Sequence, residues 1–344
     1  MTPVAAASGT APHPRLLADV GGTHARLAWV ARPGEALGHT ASYRCAEHAG
    51  LEAVVERYLV ERRLPPPRAV AIGIATPVIG DEVVMTNRAW RFSIAQLGRQ
   101  WGVERLLVLN DFAALAHGLP NATADELRAV GGGAAIAGAP VAIVGPGTGL
   151  GVSGLFPSPA GPVPIAGEGG HATLAAADAR EERVLGWLRD EFGHASAERA
   201  LSGEGLVNLH RASCALGGTP AEELDAAAIT ARAMIGGDRA CVDAVELFLA
   251  FLGGFAGNLA LTLGARGGVY IAGGIVPRLG ERIDRSSFRE RFEAKGRFRP
   301  YLEAIATRVV LDAATLALRG ADAALDASAD RAGVAVPSTS ARAP

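Results

Sequence analysis

The sequence predicts an α/β protein in two halves, each opening on the same strand–turn–strand device. Three observations carry this. Leu16-Leu17-Ala18-Asp19-Val20 is a short apolar run that ends in Gly21-Gly22-Thr23, and a second strand-like stretch, Arg26–Val30, follows. Val141-Ala142-Ile143-Val144 ends in Gly145-Pro146-Gly147-Thr148-Gly149-Leu150-Gly151 and leads into a β-like run, Leu150–Phe156, which reads as a hairpin. Around these, short buried-strand patterns alternate with amphipathic helical ones. The 344 residues suit two domains, or one with a deep cleft. The repeated opening points to a duplicated fold.

The elements follow in order. Strands are expected at Arg15–Val20, Arg26–Val30 and His39–Arg44, then a helix over Leu51–Arg63 with apolar residues at helical spacing. The strand Ala69–Ala75, a loop with Pro77 and Gly80-Asp81, and a strand Glu82–Met85 come next. Ser93 caps a helix that runs to Gly102 and leads to the strand Arg105–Leu109. The second half begins with the strand Val141–Val144. Helices are expected at Asp178–Phe192, Gly205–Leu216, Ala226–Ile235 and Asp238–Gly264. The buried strand Val269–Ala272 ends in Gly273-Gly274. The strand Arg308–Leu311 and the helix Thr315–Leu325 close the pattern. Met1–Pro14 and Ala327–Pro344 are rich in Ala, Ser and Pro, have no apolar period, and read as disordered tails.

A strand that ends in Gly-Gly-Thr or Gly-Thr-Gly turns sharply and aims backbone N–H groups and a hydroxyl at one spot. Such clusters bind anions. Two of them suggest a nucleotide's phosphates held between two halves of a molecule. The common alternatives fail. The only lysine is Lys295, so no Walker-type loop exists. The glycines of Gly147-Thr148-Gly149-Leu150-Gly151 alternate and lack the spacing of the dinucleotide fingerprint.

Composition excludes further classes. The formal charge is −2, and no basic stretch combines with aromatics, so nucleic acid and acidic membrane surfaces are not expected partners. Cys45, Cys214 and Cys241 are far apart and odd in number, which fits a reducing cytosol rather than a disulfide framework or a zinc site. The N-terminal stretch lacks the pattern of a signal peptide. Leu247–Ala265 carries no charge and meets the length criterion for a membrane span. Its glycines, Asn258 and the amphipathic residues ahead of it read instead as a helix buried in a large α/β core.

Four places hold chemistry-bearing side chains, each with two readings. Asn110 and Asp111 stand where the run Leu106–Leu109 ends and a helix begins, the ligand-facing end of an open α/β sheet. Asp111 can equally be the cap of the helix Phe112–Gly118. Gly167-Glu168-Gly169-Gly170-His171 can bring a carboxylate and an imidazole to one polar molecule, or be a surface loop; a zinc reading lacks ligands. Glu198, in Ser196-Ala197-Glu198-Arg199, reads locally as a helix-face carboxylate. Gly273-Gly274-Ile275 can lie against a flat base or serve as a tight strand-to-helix crossing.

Taken together and in this order, the motifs resemble the bacterial glucokinase family, in the wider superfamily of hexokinases and actin. The resemblance spans about Leu16 to Leu325. Its motifs are Asp19-Val20-Gly21-Gly22-Thr23-His24-Ala25-Arg26, Met85-Thr86-Asn87-Arg88-Ala89-Trp90 and Leu109-Asn110-Asp111-Phe112, then Gly145–Gly151, Gly167–His171, Ser196–Arg199 and Ile271-Ala272-Gly273-Gly274-Ile275-Val276-Pro277. It implies a two-domain actin/hexokinase-like (ribonuclease H-like) fold with an interdomain cleft. The small domain would be 15–121 with about 312–326, and the large domain 122–311.

It also implies ATP-dependent phosphorylation of D-glucose to glucose 6-phosphate, the first step of glycolysis, in the cytoplasm, by a homodimer. Asn110, Asp111, Glu168, His171 and Glu198 match positions that bind glucose hydroxyls, and Asp111 matches the catalytic base. Ala18, Asp19, Val20, Gly21, Gly22, Thr23, Gly147, Thr148, Gly149, Gly273 and Gly274 match the ATP site, and Asp19 the Mg²⁺ ligand, through water. Because Glu198 and the phosphate turns sit on different segments, Glu198 is expected to serve glucose and leave ATP alone. His24 and Pro146 depart from the family pattern. So does Asp312–Ala321, which lacks the Asn-Pro common there and bears on how the last helix packs. The cysteine cluster of the related zinc-binding ROK sugar kinases is absent. The alternatives are a kinase for another hexose, such as mannose or an N-acetyl amino sugar, and a sugar-responsive regulator on the same fold.

Overall fold

The computed structural model describes residues 11–85, 89–159 and 161–332. The tail expected up to residue 10, the Thr86-Asn87-Arg88 part of one motif, and the tail expected from residue 333 onward lie outside the described residues. The described chain forms two compact units. One runs to Pro120 and takes the chain up again at Ala314; the other is Asn121–Ala313.

The first unit opens with β1 (Arg15–Val20), β2 (His24–Val30) and β3 (Gly38–Arg44), followed by α1 (Leu51–Arg62) and β4 (Ala69–Ile74). A small hairpin of β5 (Glu82–Val84) and β6 (Arg91–Ser93) precedes α2 (Ile94–Trp101), β7 (Arg105–Asn110) and α3 (Asp111–Gly118). The five-stranded sheet has the order β3-β2-β1-β4-β7. β1 pairs antiparallel with β2 but parallel with β4, and β4 pairs parallel with β7. β4 is buried along its whole length, as its unbroken apolar run requires of a central parallel strand. Leu51, Val54, Val55 and Tyr58 bury one face of α1. Ser93 caps α2 by accepting from Gln96 N–H, and Gly102 ends that helix at φ 61°.

The second unit contains β8 (Leu127–Ala129), β9 (Val141–Pro146), β10 (Leu150–Phe156) and β11 (Val163–Gly167). Four helices follow: α4 (Ala179–Phe192), α5 (Gly203–Leu216), α6 (Ala226–Ile235) and α7 (Arg239–Leu263). After them come β12 (Val269–Ile271), the short helices α8 (Val276–Leu279), α9 (Phe288–Glu293) and α10 (Arg299–Glu303), and β13 (Thr307–Val310). The sheet order is β11-β10-β9-β12-β13-β8. β11, β10 and β9 run antiparallel, and β9, β12 and β13 run parallel. This repeats the pattern of the first sheet, with β9 in the place of β1, so the duplication suggested by the two glycine turns exists at the level of topology. The uncharged stretch of α7 is core. Phe248, Leu249, Leu252, Ala256 and Ala260 are buried, and the helix packs on α5, α6 and α9.

The last helix, α11 (Ala313–Ala332), belongs to the first unit and corrects the expected tail. It continues through Ala327 and Ser328 to Ala332, because alanine is the strongest helix former and an Ala-rich stretch next to a docked helix prolongs it. Residues 11–14 are likewise ordered in place rather than tail. Ala11 is buried, and its N–H donates to Asp326 on α11 at 3.0 Å. Arg15, 1 % exposed at the start of β1, donates to Asp322 at 2.7 Å and to Asp326 at 2.6 Å. The other half of α11 meets α3 backbone to backbone. A Cβ on Gly320 would overlap the Ala114 carbonyl, so only glycine permits this approach. The segment that departs from the family pattern therefore still docks on α3.

Candidate functional site

In the first unit the glycine turn and the Asn110-Asp111 pair converge through strand register. Val20 is level with Ile74, and Ile74 with Asn110. The carboxyl ends of β1, β4 and β7 therefore stop in one row, with β1 and β7 about 10 Å apart, two strand spacings. Ala18, Asp19 and Val20 end β1. Gly21-Gly22-Thr23 turns the chain into β2, closed by Gly21 N–H donating to His24 O at 2.9 Å. Thr23 is exposed.

Asp111 is not the cap of α3. Asn110 is: its Oδ1 accepts from Phe112 N–H at 2.9 Å and from Ala113 N–H at 3.2 Å. Asp111 is the first residue of the helix, and its Oδ1 accepts from the adjacent Phe112 N–H at 2.9 Å. Capping thus falls to the amide and leaves the carboxylate at the first turn. Gly73 on β4 makes room for it. A Cβ there would stand 3.0 Å from Ala114 Cβ, 3.5 Å from Asp111 Cα and 3.7 Å from Ala18 O. The start of α3 lies against the strand that neighbours the glycine turn.

Asp19 is mostly buried, with Arg26 opposite it on β2 and Arg26 Nη1 3.3 Å from its Oδ2. Burial pushes the Asp19 pKa up to about 6, against the pull of Arg26. A desolvated carboxylate with one long ion pair gains from an added cation. Among the described residues no cluster of three or more His, Cys, Asp or Glu could hold a metal. One carboxylate with phosphate oxygens and waters is the donor set Mg²⁺ accepts, so Asp19 fits that ion.

In the second unit four motifs meet. The β9–β10 hairpin carries Gly147-Thr148-Gly149 at its tip, Gly147 N–H donating to Gly149 O at 2.8 Å and Thr148 exposed. β12 ends beside it: Ala272 N–H donates to Val144 O at 2.8 Å and Ile275 N–H to Pro146 O at 3.4 Å. Gly273-Gly274 therefore adjoins the second glycine turn. Glu168 and His171 flank a single short turn, with His171 Nε2 4.0 Å from Glu168 Oε2 and both side chains more than half exposed. Glu198 N–H donates to Gly170 O at 2.8 Å, which brings the Ser196–Arg199 turn to that loop.

Glu198 is no helix-face carboxylate. Its Oε2 accepts from Leu150 N–H at 2.8 Å, at the foot of the glycine hairpin. A Cβ on Gly149 would stand 2.5 Å from the same oxygen. Glu198 and the second glycine turn are distant in sequence but bonded in the fold, so their lying on different segments does not keep them apart. Gly73, Ser202 and Gly203 have no site role in the sequence reading, and Leu150 enters it only as part of the glycine turn and not as the partner of Glu198. Only Ser202 carries a local signal, a serine just ahead of the helical pattern Gly203–Leu216. The only lysine, Lys295, donates to Gly254 O on α7 at 3.0 Å, and burial lowers its pKa. An apolar groove of about 410 Å³ lined by Val55, Leu59, Leu64 and Trp101 shares no residue with these motifs.

Comparison with known proteins bears on the chain as a whole. The model of the glucokinase family matches residues 16–328. A glucokinase of Aromatoleum aromaticum is 54% identical over 315 residues, which cover 91% of this chain and 95% of that protein. The crystal structure of a glucokinase from an Antarctic psychrotroph superposes with a TM-score of 0.81 at 33% identity, covering 91% of this chain and 98% of that one. The glucokinase of Balamuthia mandrillaris, solved in complex with glucose, gives 0.75 at 20% identity, over 90% and 92% of the two chains, and shares the fold.

Proposed function

The chain belongs to the glucokinase family, which phosphorylates glucose with ATP, and from that premise we propose how its residues divide the work. Asp111 is the general base. It accepts the proton of the sugar's 6-hydroxyl as that oxygen attacks the γ-phosphorus and the bond to the ADP oxygen breaks. Asn110, Glu168, His171 and Glu198 bind the other hydroxyls. Carboxylate, amide and imidazole groups suit a molecule that offers only hydroxyls, because together they accept and donate in fixed directions. Ala18–Thr23 and Gly147–Gly149 line the phosphates, and Gly273-Gly274 the nucleotide beyond them. Asp19 holds Mg²⁺, which neutralises phosphate charge when bound. The rest of catalysis is positioning. The two units divided at Pro120 and Ala314 act as the working domains. Three buried free cysteines fit a cytoplasmic enzyme.

The observation that carries the assignment of Asp111 is the division of labour at the start of α3. Asn110 takes the cap through Phe112 N–H and Ala113 N–H, and Asp111, which shares the Phe112 N–H, stands on the first turn just past the row in which β1, β4 and β7 end. Asp111→Asn tests this. Turnover should fall roughly 10²–10⁴-fold, glucose binding by calorimetry should stay within a few-fold, and the melting temperature should stay near the parent's. Near-normal turnover would remove Asp111 from the role of base.

A further inference from the structure

Ser202 closes the turn that carries Glu198 and begins α5. It is 2 % exposed. Its hydroxyl accepts from Gly205 N–H at 2.9 Å, capping the helix, and donates to Glu198 O at 2.9 Å. The next residue reaches the other side, where Gly203 N–H donates to Gly147 O at 2.9 Å. Glu198 Oε2 in turn holds Leu150 N–H at 2.8 Å. The bonds form a closed ring: Glu198 to Leu150, along the hairpin tip to Gly147, across to Gly203, and through Ser202 back to Glu198. Asn208, fully buried on α5, donates to Arg199 O at 3.1 Å and braces the same turn.

We propose that Ser202 is a positioning residue that couples sugar binding to nucleotide binding through this ring. The inference rests on the reading of Glu198 as a glucose ligand and of Gly147–Gly149 as a phosphate turn. A carboxylate has about four lone-pair sites, so Glu198 can accept from glucose while keeping Leu150. Glucose that fixes this carboxylate also fixes the hairpin tip, and a ligand that meets an ordered turn loses less entropy on binding. By linkage the nucleotide must tighten glucose by the same factor. Ser202 and Gly203 make the path rigid, because one residue pair grips the Glu198 turn and the hairpin together.

The test is titration calorimetry of glucose with and without a non-hydrolysable ATP analogue and Mg²⁺, on the parent, Ser202→Ala, Ser202→Thr, Gly149→Ala and Glu198→Gln. In the parent the nucleotide should lower the glucose Kd about fivefold or more, within the usual range of coupling between sites. In Ser202→Ala that factor should drop to within about twofold of unity, while Ser202→Thr, which keeps the hydroxyl, should restore it. A merely structural loss would lower the fraction of binding-competent protein without changing this ratio. Should Ser202→Ala fail to fold, Gly149→Ala asks the same question from the other side, since its methyl displaces the Glu198 carboxylate and leaves the cap of α5 intact. No coupling in the parent, or a parental factor in Ser202→Ala, overturns the proposal. Glu198→Gln reports on the underlying reading alone: glucose bound as tightly as by the parent would mean Glu198 is no sugar ligand.

Discussion

Asp19 and Arg26 face each other across the β1–β2 pair, carboxylate and guanidinium 3.3 Å apart. The carboxylate is mostly buried and the guanidinium is half in solvent, so the pair compensates burial only in part. The Asp19 pKa rises from 3.8 to about 6 as a result. A charged group has been left short of partners at the end of the strand that carries the first glycine turn.

The sign of the consequence follows from linkage. The unfolded chain loses this proton near pH 3.8 and the folded chain near 6, so the folded state binds more protons between them. Stability therefore falls as the pH climbs through that window and stays reduced above it, by an amount on the order of 2–3 kcal/mol. Asp19→Asn should be more stable than the parent at pH 8, with the gain shrinking toward pH 4, and should lose most activity. On the proposed role of Asp19, Mg²⁺ would compete with the proton in the parent, so the metal concentration needed for half-maximal rate should rise as pH falls below about 6. Urea midpoints of the two proteins across this range are the measurement. A gap that does not depend on pH would mean Asp19 ionises normally in the fold.

A second prediction concerns the last helix. Arg15 is buried and its main partners, Asp322 and Asp326, both come from α11. Removing both carboxylates leaves a buried guanidinium with only the carbonyls of Ala11 and Pro12. Asp322→Ala with Asp326→Ala should destabilise the protein by roughly 3 kcal/mol, the lower end of the cost of an uncompensated buried charge. Asp326→Ala alone should cost less, because Asp326 is 42 % exposed and Asp322 remains. Turnover of the folded protein should not change. If the double variant melts with the parent, Arg15 is solvated by other means.

These two cases show where the sequence was readable. β1, the cap at Ser93, the β9–β10 hairpin and the buried character of α7 follow from local pattern, because period, turn chemistry and capping act over a few residues. β6 and β8 are three residues long and exist through their pairing partners, and β11, Val163-Pro164-Ile165-Ala166-Gly167, carries a proline and is held as a strand by its pairing with β10. The end of α11 was invisible for a related reason. Its Ala-rich tail has no apolar period, and what holds the preceding turn is Arg15 at the other end of the chain. Within the site, the Asn110-Asp111 pair was legible but the assignment of the cap was not. Either side chain can cap, and backbone geometry decides between them. The bond from Glu198 to Leu150 was beyond any local reading, since it joins segments whose approach depends on the β9–β10 hairpin and on the absence of a side chain at Gly149.

Gly73 supplies the last prediction. It lies one residue from the carboxyl end of β4 and has no functional group, yet its missing side chain sets how closely Asp111 approaches the β1–β4 row. Gly73→Ala would put a methyl 3.0 Å from Ala114 Cβ and 3.5 Å from Asp111 Cα, so the first turn of α3 must move by a few tenths of an ångström. The far side of α3 offers little room, because Gly320 already holds α11 against the Ala114 carbonyl. The movement therefore passes into the first turn rather than into the body of the helix. Misplacing a reacting group by about 1 Å can cost roughly 10²-fold in rate, and a smaller shift should cost about tenfold. The loss should appear in kcat, with the glucose Kd changed by less than about threefold and the KM for ATP near the parent's. A variant that keeps full kcat would show that α3 slides as a unit without disturbing Asp111. One that loses glucose binding instead would make Gly73 a determinant of the sugar site and not of the base.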